Sequence, residues 1–154
     1  MLRLSKKADY ALIAMKHLAL REGSSSAREI AERYSIPPEL MAKVLQRLVS
    51  RGLLSSQQGT RGGYHLAKAP DTISVADVIQ AIDGPLTVTA CSAVPARCGQ
   101  FATCNVRDPL WKIRERIMSA LSTCTVSEMA ADADGSPAGP GKPAGRAAQA
   151  SPAS

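Results

Sequence analysis

The sequence predicts a mainly α fold: a winged helix-turn-helix with a two-stranded wing, followed by a cysteine loop and a long C-terminal dimerisation helix. Three observations carry that expectation. Apolar residues recur at helical spacing in three blocks within the first 50 positions, each with its own start or stop signal. A glycine-rich tip, Gln57 to Gly63, separates two short β-type runs directly after the third block. Finally, 12 of the 19 basic residues but only 5 of the 13 acidic ones lie in residues 1–70, so the +6 net charge is concentrated there.

The first helix is expected over Ser5 to Glu22, where Tyr10, Ile13, Ala14, His17, Leu18 and Leu20 carry the three- to four-residue apolar pattern and Gly23 ends it. Ser26-Ala27-Arg28-Glu29 is a capping box, in which hydroxyl and carboxylate reciprocally satisfy orphan amides, and it opens a short helix to about Tyr34. A third helix follows from Pro37-Pro38, because proline is tolerated where a first-turn N–H has no partner. Gly52 stops it, and Leu53 to Ser56 and Tyr64 to Ala67 read as the two strands. Ser74 to Asp77 forms a second capping box, leading a helix to about Asp83 that Gly84-Pro85 closes. In the last helix, Asp108 is expected as N-cap and Pro109 as first residue, with Leu110, Ile113, Ile117, Leu121 and Cys124 as one apolar stripe. An isolated stripe of this kind calls for a partner, most simply a second copy.

These elements give a winged domain over residues 1–83, a cysteine-rich loop over 84–107, a dimerisation helix over 108–130 and a tail over 131–154. Of the 24 tail residues, 19 are Ala, Gly, Pro or Ser, so it has nothing with which to offset its ordering entropy and is expected to be disordered. Four cysteines without a signal segment, and no apolar run of roughly 18 to 20 residues, predict a cytoplasmic chain that is neither disulfide-stapled nor membrane-bound. An enzyme is not expected, since two histidines and no phosphate-binding glycine motif leave no nucleophile–base pair and no small-molecule substrate site.

Placed at 100° per residue, Leu40, Met41, Val44, Leu45 and Leu48 share one face of the third helix, and Glu39, Lys43 and Gln46 lie opposite with Arg47 at the margin. Lys43 and Gln46 carry the donors and acceptors that read base edges or hold phosphates. Ser26 and Arg28 are placed to contact the backbone of double-stranded DNA, and Arg61, between glycines at the wing tip, to enter a minor groove. Lys6 and Lys7 at the start of the first helix read either as further phosphate contacts or as ordinary solvated lysines. An ordinary solvated face is the bland alternative; the order of short helix, third helix and hairpin, together with the basic excess, favours DNA.

Cys91, Cys98 and Cys104 fall within 14 residues as C-x6-C-x5-C. Three soft thiolates on one loop suit a zinc ion or an iron–sulfur cluster, and the lack of a C-x2-C pair disfavours a zinc knuckle. Inert buried cysteines and a peroxide-type thiol sensor are the alternatives. For a fourth ligand, Cys124 reads as a stripe residue, Asp108 as a cap, and His17 and His65 as packing and wing residues. That leaves Asp9, whose simpler role is to stabilise the first turn through the helix dipole.

The opening Leu2-Arg3-Leu4-Ser5-Lys6-Lys7-Ala8-Asp9-Tyr10-Ala11-Leu12, the wing Gly59-Thr60-Arg61-Gly62-Gly63-Tyr64-His65-Leu66-Ala67, the segment Ile73-Ser74-Val75-Ala76-Asp77-Val78-Ile79 and the three cysteines together resemble the IscR- and NsrR-like Rrf2 family of bacterial regulators. The resemblance spans about residues 1–130. It implies a homodimeric winged-helix repressor or activator whose affinity for operator DNA follows the state of an iron–sulfur cluster, held by Cys91, Cys98 and Cys104. It also implies that Arg61 is the wing residue of the minor groove.

IscR-like members have a histidine ligand three residues after the last cysteine, where this chain has Arg107, and their first cysteine gap is one residue shorter. NsrR-like members use an aspartate near the start of the first helix, supplied by the other subunit, which Asp9 matches. The wording around residues 1–6 and 104–108 is nearest to regulators of the SUF cluster-assembly system. The expectation is therefore a repressor of such genes with a 2Fe-2S rather than a 4Fe-4S cluster. A nitric-oxide- or redox-responsive regulator of the same fold, or an adaptor with structural zinc, is the alternative.

Overall fold

The computed structural model describes residues 3–89 and 98–132. Helix α1 runs over Lys6–Leu20, and Ser5 caps it by accepting from the Ala8 amide at 3.1 Å. Helix α2, Ala27–Tyr34, has the expected capping box, with the Glu29 amide donating to Ser26 Oγ and the Ser26 amide to Glu29 Oε2 at 2.7 Å. Ser35 then turns the chain with a left-handed φ of 54°, and Ile36 drops into the core. Helix α3, Pro38–Ser50, starts on its prolines as expected.

The exit from α3 explains a one-residue shift of the hairpin. Gly52 at φ 76° and Leu53 return their amides to the carbonyls of Val49 and Leu48, a Schellman closure that keeps Leu53 in the turn. The strands are therefore β1 Leu54–Gln57 and β2 Gly63–Leu66, antiparallel, with Leu54 opposite Leu66 and Gln57 opposite Gly63. A 3-10 turn over Pro70–Thr72 leads to α4, Val75–Asp83, which carries the second capping box, Ser74 with Asp77.

The C-terminal part departs from the sequence reading at both ends. Helix α5 runs over Arg107–Thr123 with Val106 as N-cap, so Asp108 lies inside the first turn. Its carboxylate accepts from Arg107 Nε at 2.8 Å instead of capping an amide. The apolar stripe is also cut short: Cys124 is the C-cap of α5, and Thr125 with Glu128 makes a third capping box for a separate helix α6, Val126–Ala131. Two backbone bonds join these segments, Val75 N–H to the Cys124 carbonyl at 2.8 Å and Val126 N–H to the Ile73 carbonyl at 2.9 Å. They turn the chain back, so that α6 packs on α1 and the 3-10 turn. The residues expected to be a tail lie outside the described residues except Ala131 and Asp132.

Met15, Ile30, Met41, Leu45, Leu48, Leu54, Ile73, Val78 and Val126 are fully buried in one aliphatic core that joins α1 to α4, β1 and α6. Helix α5 contributes no fully buried residue; it rests on α4 and leaves Trp111 36 % and Ile113 44 % exposed. Among the described residues no buried side-chain polar atom lacks a partner, and no helix is long and apolar enough to cross a membrane.

Candidate nucleic-acid interface and cysteine loop

Burial of Met41, Val44, Leu45 and Leu48 fixes the rotation of α3 and turns Glu39, Lys43 and Gln46 to solvent. Gln46 lines a cavity of about 530 Å³ with Ser26, Gln57, Gly59, Gly62 and Tyr64, which opens between α2, α3 and the wing. Lys7 and Lys43 line a smaller cavity of about 230 Å³ with Arg47 and Ile82, so the start of α1 adds a cation beside α3; Lys6 is exposed on the same turn. Arg61 is exposed on the hairpin tip, where the Gly62 amide donates to the Gly59 carbonyl at 2.9 Å.

Three expected contacts are already engaged within the chain. Arg47, although exposed, donates its Nε to the Ala81 carbonyl of α4 at 3.0 Å. Arg28 pairs with Glu32 one turn on at 2.8 Å, and that hydrogen bond and charge raise the guanidinium above its usual range. Ser26 Oγ accepts the Glu29 amide, and the Ser26 bonds hold the Glu29 carboxyl below its ordinary range.

The sequence reading missed the residues that seat the wing. Ser25, buried to 1 % exposure, exchanges two backbone hydrogen bonds with Tyr64 of β2, at 3.0 and 2.8 Å. Ser24 Oγ donates to the Arg61 carbonyl at 3.2 Å. Gly63 is required here, since a Cβ would stand 2.7 Å from the Ser25 carbonyl group. A run of three serines before a capping box was the available signal, but it does not reveal a partner strand.

In the cysteine loop, Cys91 lies outside the described residues, and Cys98 and Cys104 are free, part-exposed thiols. The loop is tied to α5 by Arg107, whose Nη1 donates to the Phe101 carbonyl at 2.9 Å. Its guanidinium stacks 4.6 Å from the Phe101 ring centroid and 5.7 Å from that of Trp111. Arg107 thus holds the loop by hydrogen bonding and stacking, at the position where a ligand histidine was sought. Burial, then the charge of Glu128, pushes the Cys124 thiol up, away from the thiolate a metal needs.

Asp9 is half-buried in the first turn of α1, and no partner for its carboxylate is found among the described residues. Helix α1 packs on α4, α6, α3 and β2, whereas the cysteine loop leads into α5. Among the described residues no group of three His, Cys, Asp or Glu side chains is close enough to hold a metal ion.

A short helix, a tight turn, a third helix with a polar outward face and a hairpin beside it make a winged helix-turn-helix. A family model described as Rrf2, iron-dependent transcriptional regulator, matches residues 4–132. The chain belongs to the Rrf2 family. It is 35 % identical over 131 residues to the helix-turn-helix-type transcriptional regulator IscR of Erwinia tasmaniensis, covering 83 % of this chain and 78 % of that one. The solved structure of IscR from T. potens superposes with a TM-score of 0.67 at 30 % identity, covering 86 % of this chain and 89 % of that one. CymR, described as the global cysteine regulator of B. subtilis, gives a TM-score of 0.72 at 27 % identity, covering 87 % of this chain and all of that one. As an Rrf2 member the chain is a DNA-binding transcription regulator of mainly helical winged fold, not an enzyme.

Proposed function

We propose that this Rrf2 regulator is a cytoplasmic homodimer that binds operator DNA as a repressor and senses iron–sulfur cluster status, with SUF-type cluster-assembly genes as its targets. The observation that carries the reading is the C-x6-C-x5-C loop, in which Cys98 and Cys104 stand as free, part-exposed thiols beside the Arg107 clamp. Soft thiolates, with no disulfide among the described residues, suit an iron–sulfur cluster, and the resemblance to IscR-like regulators favours the 2Fe-2S over the 4Fe-4S type. Cys91, Cys98 and Cys104 would hold it, with the partner subunit's Asp9 in the fourth position. When bound, such a cluster supplies a centre that responds to oxidants, nitric oxide and cluster supply.

This chain's own residues then have separable tasks. Lys6, Ser26, Arg28 and Lys43 hold phosphates; Glu39 and Gln46 face base edges, with Arg47 at the margin bonded to the Ala81 carbonyl; Arg61 enters a minor groove. Exposed Val106, Trp111 and Ile113 on and before α5 support pairing with a second copy.

The test is strictly anaerobic purification, with iron, zinc and acid-labile sulfide measured beside the visible spectrum and the mass in solution. Iron with matching sulfide in a dimer, lost on Cys→Ala substitution, is the expected result. Zinc without sulfide replaces it with a structural site, and no metal at all leaves a thiol-based regulator; either result overturns cluster sensing and leaves DNA binding intact.

A further inference from the structure

His17 is the buried histidine of α1, 4 % exposed, and the DNA-reading residues above make no use of it. Its Nδ1 lies 3.0 Å from Tyr34 Oη at the end of α2, and its Nε2 lies 3.3 Å from Ser25 Oγ. The Tyr34 ring meets the imidazole edge-on, 5.5 Å between centroids. Ser25 is the residue whose backbone pairs with Tyr64 of β2, between Ser24, which donates to the Arg61 carbonyl, and Ser26, which caps α2. Three consecutive serines therefore strap the wing to α2, and the only side chain that grips the buried middle of the strap among the described residues is His17.

We infer that His17 is a positioning residue of the DNA interface: through Ser25 it seats the wing on the start of α2 and so sets where Arg61 stands relative to the outward face of α3. The physical basis is geometric. Residues 24–26 lie between two elements that must keep a fixed spacing to engage adjacent grooves, and their backbone bonds to Tyr64 are short enough to transmit a displacement. A neutral imidazole donates at one nitrogen and accepts at the other, and the Tyr34 and Ser25 hydroxyls satisfy either tautomer.

A proton on His17 is disfavoured at this place in the fold. Burial, then the positive charges of Arg21 after α1 and Arg33 on α2, disfavour the imidazolium, against a smaller opposing pull from Glu29. The neutral form is therefore the one the folded strap holds. Its contribution is present above the ordinary histidine value of 6.5 and is lost as pH falls through a lower value.

The inference rests on reading Arg61 as a wing contact, and the experiment separates the two. The full chain, purified anaerobically, is footprinted by hydroxyl radicals on the duplex that the wild type enriches from a random-sequence pool. The variants are His17→Phe, His17→Gln, Ser25→Ala and Arg61→Ala, with melting temperatures measured in parallel. Expected is loss of the wing-side minor-groove protection in H17F and S25A, with the α3-side protection kept and affinity about tenfold weaker. H17Q, whose amide stands in for Nε2, restores protection and removes the loss that the wild type shows on acidification. If H17F does not fold, S25A decides. Wing-side protection lost in R61A but kept in S25A and in any folded H17F overturns the inference, as does an equal loss on both sides in either. Protection unchanged in R61A refutes the wing reading itself, and the inference falls with it.

Discussion

Gly63→Ala isolates the closest approach in the DNA-binding half. A Cβ there stands 2.7 Å from both the carbonyl carbon and the oxygen of Ser25 and 3.1 Å from the Ser26 nitrogen. Ordinary contact needs about 3.5 Å, and the obstructing atoms are backbone that no rotamer change can move, so β2 must retreat by roughly 0.8 Å. The two Ser25–Tyr64 bonds, 3.0 and 2.8 Å, then lengthen past their useful range. At about 0.5–1.5 kcal/mol net for each bond, the substitution costs roughly 1–3 kcal/mol. At about 4 °C per kcal/mol, the melting midpoint falls by roughly 4–12 °C. Operator affinity falls with it, because the wing leaves the groove that Ser26 and Gln46 line. Gly99→Ala, where a Cβ meets nothing within 4 Å, is the control. Circular dichroism melts and fluorescence anisotropy on one duplex read both effects. A G63A protein that melts and binds like wild type refutes the reasoning, since the strap would then not be under that steric constraint.

Alanine at Cys91, Cys98 or Cys104 removes iron and sulfide together, whereas C124A leaves both unchanged; iron and sulfide assays with the visible spectrum decide, and intact cluster content in all three loop variants refutes the ligand assignment. Lys43→Ala weakens binding to every duplex alike and lowers the salt slope by about one unit, while Gln46→Ala relaxes sequence preference by roughly 1–3 kcal/mol at one position. Salt titrations on matched and mismatched duplexes distinguish these, and the pattern in reverse would exchange their roles. Val126→Ala, at a fully buried site on α6, costs roughly 1.5–3 kcal/mol. A denaturant midpoint unchanged in V126A would mean that α6 does not complete the core.

What the sequence disclosed about the fold was local. The boxes at Ser26 and Ser74 and the Pro38 start place α2, α4 and α3 where the residue types require, because each signal acts within one helical turn. The break at Cys124 was present as well, in Thr125 and Glu128, but the apolar stripe running through it carried the helix reading past the box. What decides for the break is tertiary, the pairing of residues 73–75 with 124–126, and periodicity has no access to that. The site divides in the same way. A helical wheel identifies the outward side chains of α3, yet it cannot show that Arg47 reaches the Ala81 carbonyl or that Arg107 stacks against the Phe101 and Trp111 rings. Nor does sequence spacing bring Asp9 to the thiols; α1 packs on α3, α4, α6 and β2, and no metal-holding group of three forms among the described residues.

Those long-range bonds converge on one place. Arg47 of α3 donates to the Ala81 carbonyl, Ser5 before α1 donates from its amide and hydroxyl to the Asp83 carboxylate, and Arg114 of α5 donates to the Leu86 carbonyl at 2.9 Å. The last turn of α4 and the residues just after it therefore receive donors from the reading helix, from the helix bearing Asp9 and from the helix that follows the cysteine loop. A helix C-terminus is suited to this, because its last carbonyls lack intrahelical partners and carry the negative end of the helix dipole. The arginine at position 47 is then better spent on α4 than on a base: it locks α3 to the element on which α5 rests. Within one subunit α3 and α5 thus both bond to the short segment 81–86, on the side of α3 away from the outward face proposed to read DNA.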